Sequence, residues 1–132
     1  MKILQPPEWL PPKGYVNGIA ARGTLVVIAG QIGWNGACEF ETDDFTGQFR
    51  QALSNVLAVA KEAGAGPEHL VRLTWYITDK AAYLAELKAI GTAYRELMGR
   101  WYPAMAVIEV KSLMEDRAKI EIEALAVVPD PE

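Results

Sequence analysis

Hydrophobic and polar residues alternate strictly near the end of the chain, between Lys119 and Val128. Successive side chains of a strand point to opposite faces, so one face of this segment is apolar and the other carries Glu121 and Glu123. The apolar face consists of Ile120, Ile122, Ala124 and Ala126. Residues 103–110 have a strand-like pattern too, and the two segments predict a closing hairpin. Two carboxylates on such a strand must face water, a partner or a functional site.

The N-terminal part predicts two strands and a glycine-rich loop. Prolines at positions 6, 7, 11 and 12 predict an extended, non-helical lead-in, followed by a short strand over residues 15–21. The nearly continuous apolar run at residues 24–29 predicts a strand that is buried on both sides. Three glycines within residues 30–36 then predict an irregular loop where backbone approaches a ligand closely.

Two amphipathic helices flank a further strand. The first helix begins near residues 42–44, where short oxygen-bearing side chains can cap exposed amides, and ends before residues 64–67. Its apolar stripe consists of Phe45, Phe49, Ala52, Leu53, Val56, Leu57 and Ala60. Residues 69–78 predict a strand with Trp75 in the core, and Asp79 can cap a second helix over residues 82–98.

The element order β-β-α-β-α-β-β predicts a single α+β domain over residues 1–132, with an antiparallel-rich mixed sheet and two helices on one face. The other sheet face would stay open in a single copy of the chain. We expect this open face to be apolar and therefore buried against other copies. Its expected members are Met105, Val107, Leu125, Val127 and Tyr76.

Composition and charge exclude several function classes. The chain has 132 residues, 51% of them hydrophobic, which is enough for one globular core. A net charge of −4 provides no general attraction for nucleic acid, and no apolar run reaches the roughly 20 residues that span a bilayer. One cysteine and one histidine make a poor metal-binding set. The N-terminus also lacks a signal-peptide pattern, so we expect a cytoplasmic protein without a metal.

Several short segments together resemble the RidA (YjgF) family of small trimeric proteins. They are Gly14–Gly18, Ala29–Gly33, the helix residues Gln48, Ala52, Leu53, Asn55 and Val56 leading to Glu62–Ala65, the pair Pro103–Ala104, and Lys119–Ala124. Each segment is weak alone, but their order and spacing are specific and cover nearly the whole chain. The resemblance implies a chorismate-mutase-like fold and a homotrimer with clefts between subunits. It also implies hydrolysis of enamines or imines to ketoacids and ammonia, without a cofactor.

The chain departs from the family pattern at the expected cleft. Family deaminases carry an arginine directly after Pro-Ala that binds the substrate carboxylate, and this chain has Met105 there. Loss of such a charge-assisted contact costs several kcal/mol. The family serine is Ala29 and the family cysteine is Val107, while a family asparagine aligns with Gly91. We therefore expect an apolar cleft that does not favour small amino-acid-derived imines.

Other family elements are retained. The resemblance assigns Glu121 as the residue that orients the attacking water and Tyr15 as the cleft tyrosine, and both are candidate catalytic residues. Candidate substrate-binding residues are Ala29, Gly30, Gln31, Ile32, Gly33, Trp34, Met105 and Val107. Trp34 would present a flat wall to a larger substrate, of which a 2-aminomuconate-like molecule is one example.

The sequence leaves several alternatives open. The trimer could be a non-catalytic small-metabolite-binding or chaperone-like protein in which the missing arginine reflects lost catalysis. Endoribonuclease or translation-inhibitor activity is a third class, which the acidic charge and the absence of a basic cluster disfavour. Glu121 could also be an exposed or interface carboxylate. We expect Glu123 to pair with Lys111 or Lys119 along the sheet.

Overall fold

The computed structural model describes residues 1–131. The strands are β1 (Lys2–Leu4), β2 (Gly18–Ala20), β3 (Thr24–Ile32), β4 (Leu70–Ile77), β5 (Ala104–Glu109) and β6 (Ile120–Val128). The α-helices are α1 (Phe45–Glu62), α2 (Lys80–Ala85) and α3 (Leu87–Met98), and a 3-10 turn occupies Pro67–His69.

The main sheet has the strand order β3-β6-β4-β5. The pairs β3–β6 and β6–β4 are antiparallel and the pair β4–β5 is parallel, which confirms the predicted α+β fold with an antiparallel-rich mixed sheet. The predicted β5–β6 hairpin is wrong, because β4 lies between these strands. A crossover through α2 and α3 makes β5 parallel to β4, and β6 takes a central position where its alternate residues are buried.

Helix α1 follows its predicted pattern. The Asp44 carboxylate accepts a hydrogen bond from the Gly47 amide at 2.8 Å and caps the helix start. The apolar stripe packs in the core, where Phe49, Leu53 and Val56 are fully buried. The helix therefore covers one face of the sheet over β3 and β6.

The second predicted helix is instead two helices, so three helices replace the predicted two. Asp79 caps α2 through the Ala82 amide, as expected. Glu86 leaves the helical conformation with φ −114° and ψ 17° and separates α2 from α3. Its carboxylate accepts a hydrogen bond from the Thr46 hydroxyl at 2.7 Å, which fixes the junction to α1.

The N-terminal strands also differ from the prediction. Residues 2–4 form β1 and pair with β2, which is shorter than the predicted strand over residues 15–21. Strand β3 does not end at residue 29 but continues to Ile32 through a bulge between Ile28 and Gln31. It is buried on one side only, since Leu25 and Val27 are 59% and 71% exposed. The helices cover a single face of the sheet, so the second face of β3 has no cover within one copy.

The open face lies opposite the helices and contains Leu25, Val27, Tyr76, Leu125 and Val127. Met105 and Val107 were predicted there, and this is wrong. Met105 is in register with Leu73 and Val107 with Trp75, whose side chains are buried on the helix side. Neighbouring residues in register share a face, so Met105 and Val107 belong to the helix side at the sheet edge.

Candidate functional site

The predicted site residues lie in two separate concavities, and the first of them is at the edge of β5. It is lined by Lys13, Gly14, Tyr15, Trp75, Tyr83, Met105, Ala106 and Val107. Val16 forms a parallel bridge with Ala104, and its amide donates to the Pro103 carbonyl at 3.2 Å. This bridge holds the N-terminal segment against β5 and brings Tyr15 to the same concavity as Met105. We call it the β5 concavity.

The walls of the β5 concavity are aromatic and apolar. Trp75 packs against Phe49 with ring centroids 4.8 Å apart and meets Tyr83 edge-on at 6.4 Å. Burial raises the pKa of Tyr83. Trp75 is 5% exposed, and its indole Nε1–H has no hydrogen-bond partner among residues 1–131. A buried donor without a partner costs about 1–3 kcal/mol, so this indole lowers stability where it packs in the core behind the concavity.

The second candidate part of the site lies on the opposite sheet face, at the end of β3 and the start of β6. It is lined by Gly30, Ile32, Trp34, Met114, Glu115 and Glu121, and we call it the Glu121 concavity. Glu121 is partly exposed and is in register with Ile32 on one side and Tyr76 on the other. The β3 bulge reverses which residues face each side of the sheet, so Ile32 joins Glu121 on the open face.

Gly30 and Gly33 are both in close contact with other residues. A Cβ atom at Gly30 would lie 2.7 Å from the Glu121 carboxyl carbon, so a side chain at position 30 would displace this carboxylate from its place. A Cβ atom at Gly33 would lie 2.6 Å from Gln48 Cβ, and Gly33 is buried under α1. Gly33 therefore holds the backbone close to the helix rather than lining the Glu121 concavity.

Ala29 and Gln31 lie on either side of Gly30. Ala29 is exposed, and its carbonyl accepts a hydrogen bond from the Gln31 side-chain Nε2 at 3.1 Å. Neither residue lines the Glu121 concavity, although both belong to the bulged segment that shapes it.

Two amide side chains of α1 position the Glu121 concavity, and no role was predicted for either of them. The Asn55 side chain donates to the Ile32 carbonyl at 3.1 Å and to the Trp34 carbonyl at 2.7 Å. The fully buried Gln48 side chain donates to the Thr42 and Arg117 carbonyls and accepts from the Lys119 amide. Two polar residues seven positions apart on a packed helix were the available signal.

One copy of the chain does not bring the two halves together. Met105 lies on the edge strand β5 and faces the helices, whereas Glu121 lies on β6 and faces the open side. Strand β4 separates them, so their backbones are two strand spacings, or about 10 Å, apart. A single cleft containing Tyr15, Met105 and Glu121 cannot form within one copy.

Other polar residues have structural partners. The Glu123 carboxylate accepts a hydrogen bond from the Tyr76 hydroxyl at 2.6 Å rather than pairing with Lys111 or Lys119, so that expectation was wrong. The same bond raises the pKa of Tyr76. Cys38 is an exposed free thiol in a tight turn with a φ of 61°.

Within residues 1–131 no group of three or more histidine, cysteine, aspartate or glutamate side chains could hold a metal ion. No helix in this range has the length and apolar content needed to cross a membrane.

Comparison with known proteins identifies the family. Residues 8–128 match the family model described as Endoribonuclease L-PSP. A 2-iminobutanoate/2-iminopropanoate deaminase of Salmonella typhimurium is 34% identical over 113 residues, covering 86% of each chain. The chain belongs to the RidA (YjgF) family. A RutC family protein of Synechocystis is 35% identical over 136 residues and covers 98% of each chain.

Solved structures show the same fold for this RidA family member. A Rid family protein of unknown function from Yersinia pestis superposes with a TM-score of 0.85 at 30% identity, covering 96% of this chain and 98% of that one. Escherichia coli TdcF with bound serine gives a TM-score of 0.69 at 30% identity, with coverages of 97% and 99%. These similarities confirm the family and fold that the sequence motifs predicted.

Proposed function

We propose that this RidA family member hydrolyses an enamine or imine to a carbonyl compound and ammonia. The observation that carries the proposal is the Glu121 carboxylate held over Gly30 in an open concavity. Relatives 34% identical to this chain are named 2-iminobutanoate/2-iminopropanoate deaminases, which supports the same reaction type here.

The reaction needs one water molecule and proton transfers. The Glu121 carboxylate accepts a proton from water while the water oxygen bonds to the imine carbon, and the C=N electron pair moves to nitrogen. Glu121 then passes this proton to the nitrogen and is regenerated as a carboxylate. The proton of the remaining O–H moves to the nitrogen in turn, the C–N bond breaks, ammonia leaves, and the oxygen becomes the carbonyl oxygen. The sum is imine plus water giving carbonyl compound plus ammonia, and no cofactor enters this balance.

The proposed complete site lies between copies of the chain. The Glu121 concavity of one copy would face the β5 concavity of the next, as in the homotrimer expected for the family. The strand order supports this arrangement, because Glu121 and Tyr15 lie on opposite faces within one copy. The exposed apolar residues Leu25 and Val27 on the open face provide surface for such contacts.

The proposed substrate is bulkier than a small amino-acid-derived imine. Met105 stands where family deaminases have their carboxylate-binding arginine, and it lies beside Val107, Trp75 and Tyr83. These side chains favour a flat, apolar body such as a conjugated or aromatic chain. A 2-aminomuconate-like molecule fits this description and remains one candidate.

Ammonia release from a panel of freshly generated imines tests the proposed reaction. The panel should contain small aliphatic and extended conjugated imines, with the uncatalysed rate measured for each. We expect faster release from the extended imines, and loss of the enhancement in Glu121→Ala with the melting temperature retained. Rates equal to the uncatalysed rates for every imine would contradict the proposal.

A non-catalytic metabolite-binding trimer is the second candidate, favoured by Met105 and Ala29 at positions where family enzymes have polar residues. In that case extended ligands should raise the melting temperature without turnover. Met105→Arg separates the two candidates, because gain of small amino-acid-imine hydrolysis would show that the remaining catalytic groups are intact.

RNA cleavage is disfavoured by the net charge of −4.

A further inference from the structure

The β5 concavity has an unbalanced set of polar groups. The lining residues with polar side-chain groups that can reach solvent are Lys13, Tyr15 and Tyr83. All three side chains can donate hydrogen bonds, and no carboxylate from the described residues lines the concavity. A ligand that offers an anion or acceptor oxygen would therefore meet donors.

Lys13 is the one cation among the lining residues of the β5 concavity. Its side chain is exposed, and none of the ion pairs within residues 1–131 involves it. The Val16–Ala104 bridge fixes the backbone three residues further on and so keeps Lys13 among the residues that line the same concavity as Met105. The charge is thus available at the entrance of an otherwise apolar concavity.

The lining residues differ in depth. Lys13 and Tyr15 are exposed, Met105 and Tyr83 are partly buried, and Trp75 is buried. This order gives the concavity a charged residue on its exposed side and an apolar, aromatic wall on its buried side. An elongated ligand would bury its apolar body and leave its charged end beside Lys13.

We propose that Lys13 is a specificity-determining residue that binds the anionic end of an elongated, planar imine or enamine. It supplies a cation from the N-terminal segment in place of the guanidinium that position 105 of β5 lacks. An ammonium is a point charge on a flexible stem, so it accepts anions in more orientations than a guanidinium fork does. The inference rests on the proposed function for the identity of the reacting group.

Binding of two matched probes tests the role of Lys13. Sorbate and sorbamide share one planar diene chain and differ in the charge of the end group, and neither contains an imine or enamine group. By calorimetry, wild-type protein should bind sorbate about fivefold more tightly than sorbamide, the size expected of a partly exposed ion pair. Lys13→Met should remove this preference, and Lys13→Arg should retain it.

Two further variants complete the test. Lys88→Met removes an exposed lysine on α3, outside the β5 concavity, and should keep the wild-type preference. Met105→Arg added to Lys13→Met should restore the preference for sorbate, because both cations would serve the same anion. Melting temperatures should show that each variant is folded.

The outcomes separate this inference from the proposed function. Equal affinities for the two probes in wild-type protein, no binding of either, or an unchanged preference in Lys13→Met would overturn the role of Lys13. Imine hydrolysis could still be observed in those cases. Conversely, a Lys13-dependent preference without ammonia release from any imine would support the anion site and count against the deaminase.

Discussion

Glu121 occupies the space that a side chain at position 30 would need. A Cβ atom built on Gly30 would lie 2.7 Å from Glu121 Cδ and 2.9 Å from Cγ. Both distances are far below ordinary carbon contacts of about 3.5–4.0 Å. The β3 bulge brings the Gly30 backbone beside the carboxylate that is proposed to direct the attacking water.

Gly30→Ala should lower ammonia release by about a hundredfold while leaving the fold intact, because displacement of a catalytic group by about 1 Å has effects of this size. Initial rates and circular dichroism check both parts. Gly36→Ala is the matched control, since its added Cβ meets nothing within 4 Å. Full activity in Gly30→Ala would show that the position of Glu121 does not matter.

Val27→Asp should prevent the proposed association of copies and thereby abolish activity. Val27 is 71% exposed on the open sheet face, where association would bury the new charge at a cost of about 3–5 kcal/mol. Light scattering after gel filtration measures the mass of the assembly. Val59→Asp places the same charge on α1, where Val59 is 41% exposed, and should keep the wild-type mass. Equal masses for both variants would exclude the open face from association.

Gln48→Ala should lower the free energy of unfolding by about 2–4 kcal/mol, measured by urea titration. The change leaves the Lys119 amide and the Thr42 and Arg117 carbonyls without their buried partner. Ser54→Ala, at a partly exposed position of the same helix, should change stability by less than about 0.5 kcal/mol. Similar stabilities for the two variants would contradict the assigned role of Gln48.

Asp43→Asn should make the melting temperature fall less steeply as the pH is lowered into the acid range. The hydrogen bond from Arg117 at 3.0 Å lowers the pKa of Asp43 in the folded protein. A carboxyl whose pKa is lower in the folded protein than in the unfolded chain stabilises the folded protein at pH values above its unfolded pKa of about 4. This contribution to stability is lost as the pH falls through the folded-state pKa. Thermal melting from pH 7 downward measures this effect. Arg117→Gln should reduce the acid dependence of the melting temperature in the same way. A pH dependence equal to that of the wild-type protein in both variants would contradict the pairing of Asp43 with Arg117.

The parts of the fold that local periodicity determines were predictable. The alternation in β6 and the apolar stripe of α1 each follow from residues close in sequence. The break at Glu86 was not predictable, because its partner Thr46 lies forty residues away. The false β5–β6 hairpin has a similar cause, since the pairing of β5 with β4 depends on a crossover through two helices.

The candidate site was predictable by residue but not by arrangement. Family motifs pointed to Glu121 and Tyr15, yet the parallel β4–β5 register decides that Met105 faces the helices. The bulge in β3 likewise decides that Ile32 shares a face with Glu121. Lys13 gave no signal in the sequence, because only the Val16–Ala104 bridge brings it to Met105.

Restoration of activity by mixing two impaired variants tests most directly whether the site is shared between copies. Glu121→Gln disables one half of the site and Tyr15→Ala the other. The two proteins would be unfolded, mixed in equal amounts and refolded together, and ammonia release compared with each variant refolded alone. If Glu121 and Tyr15 come from different copies, random assembly gives about a quarter of the sites both native residues, and activity rises accordingly. Activity no higher than that of the separate variants would contradict a shared site.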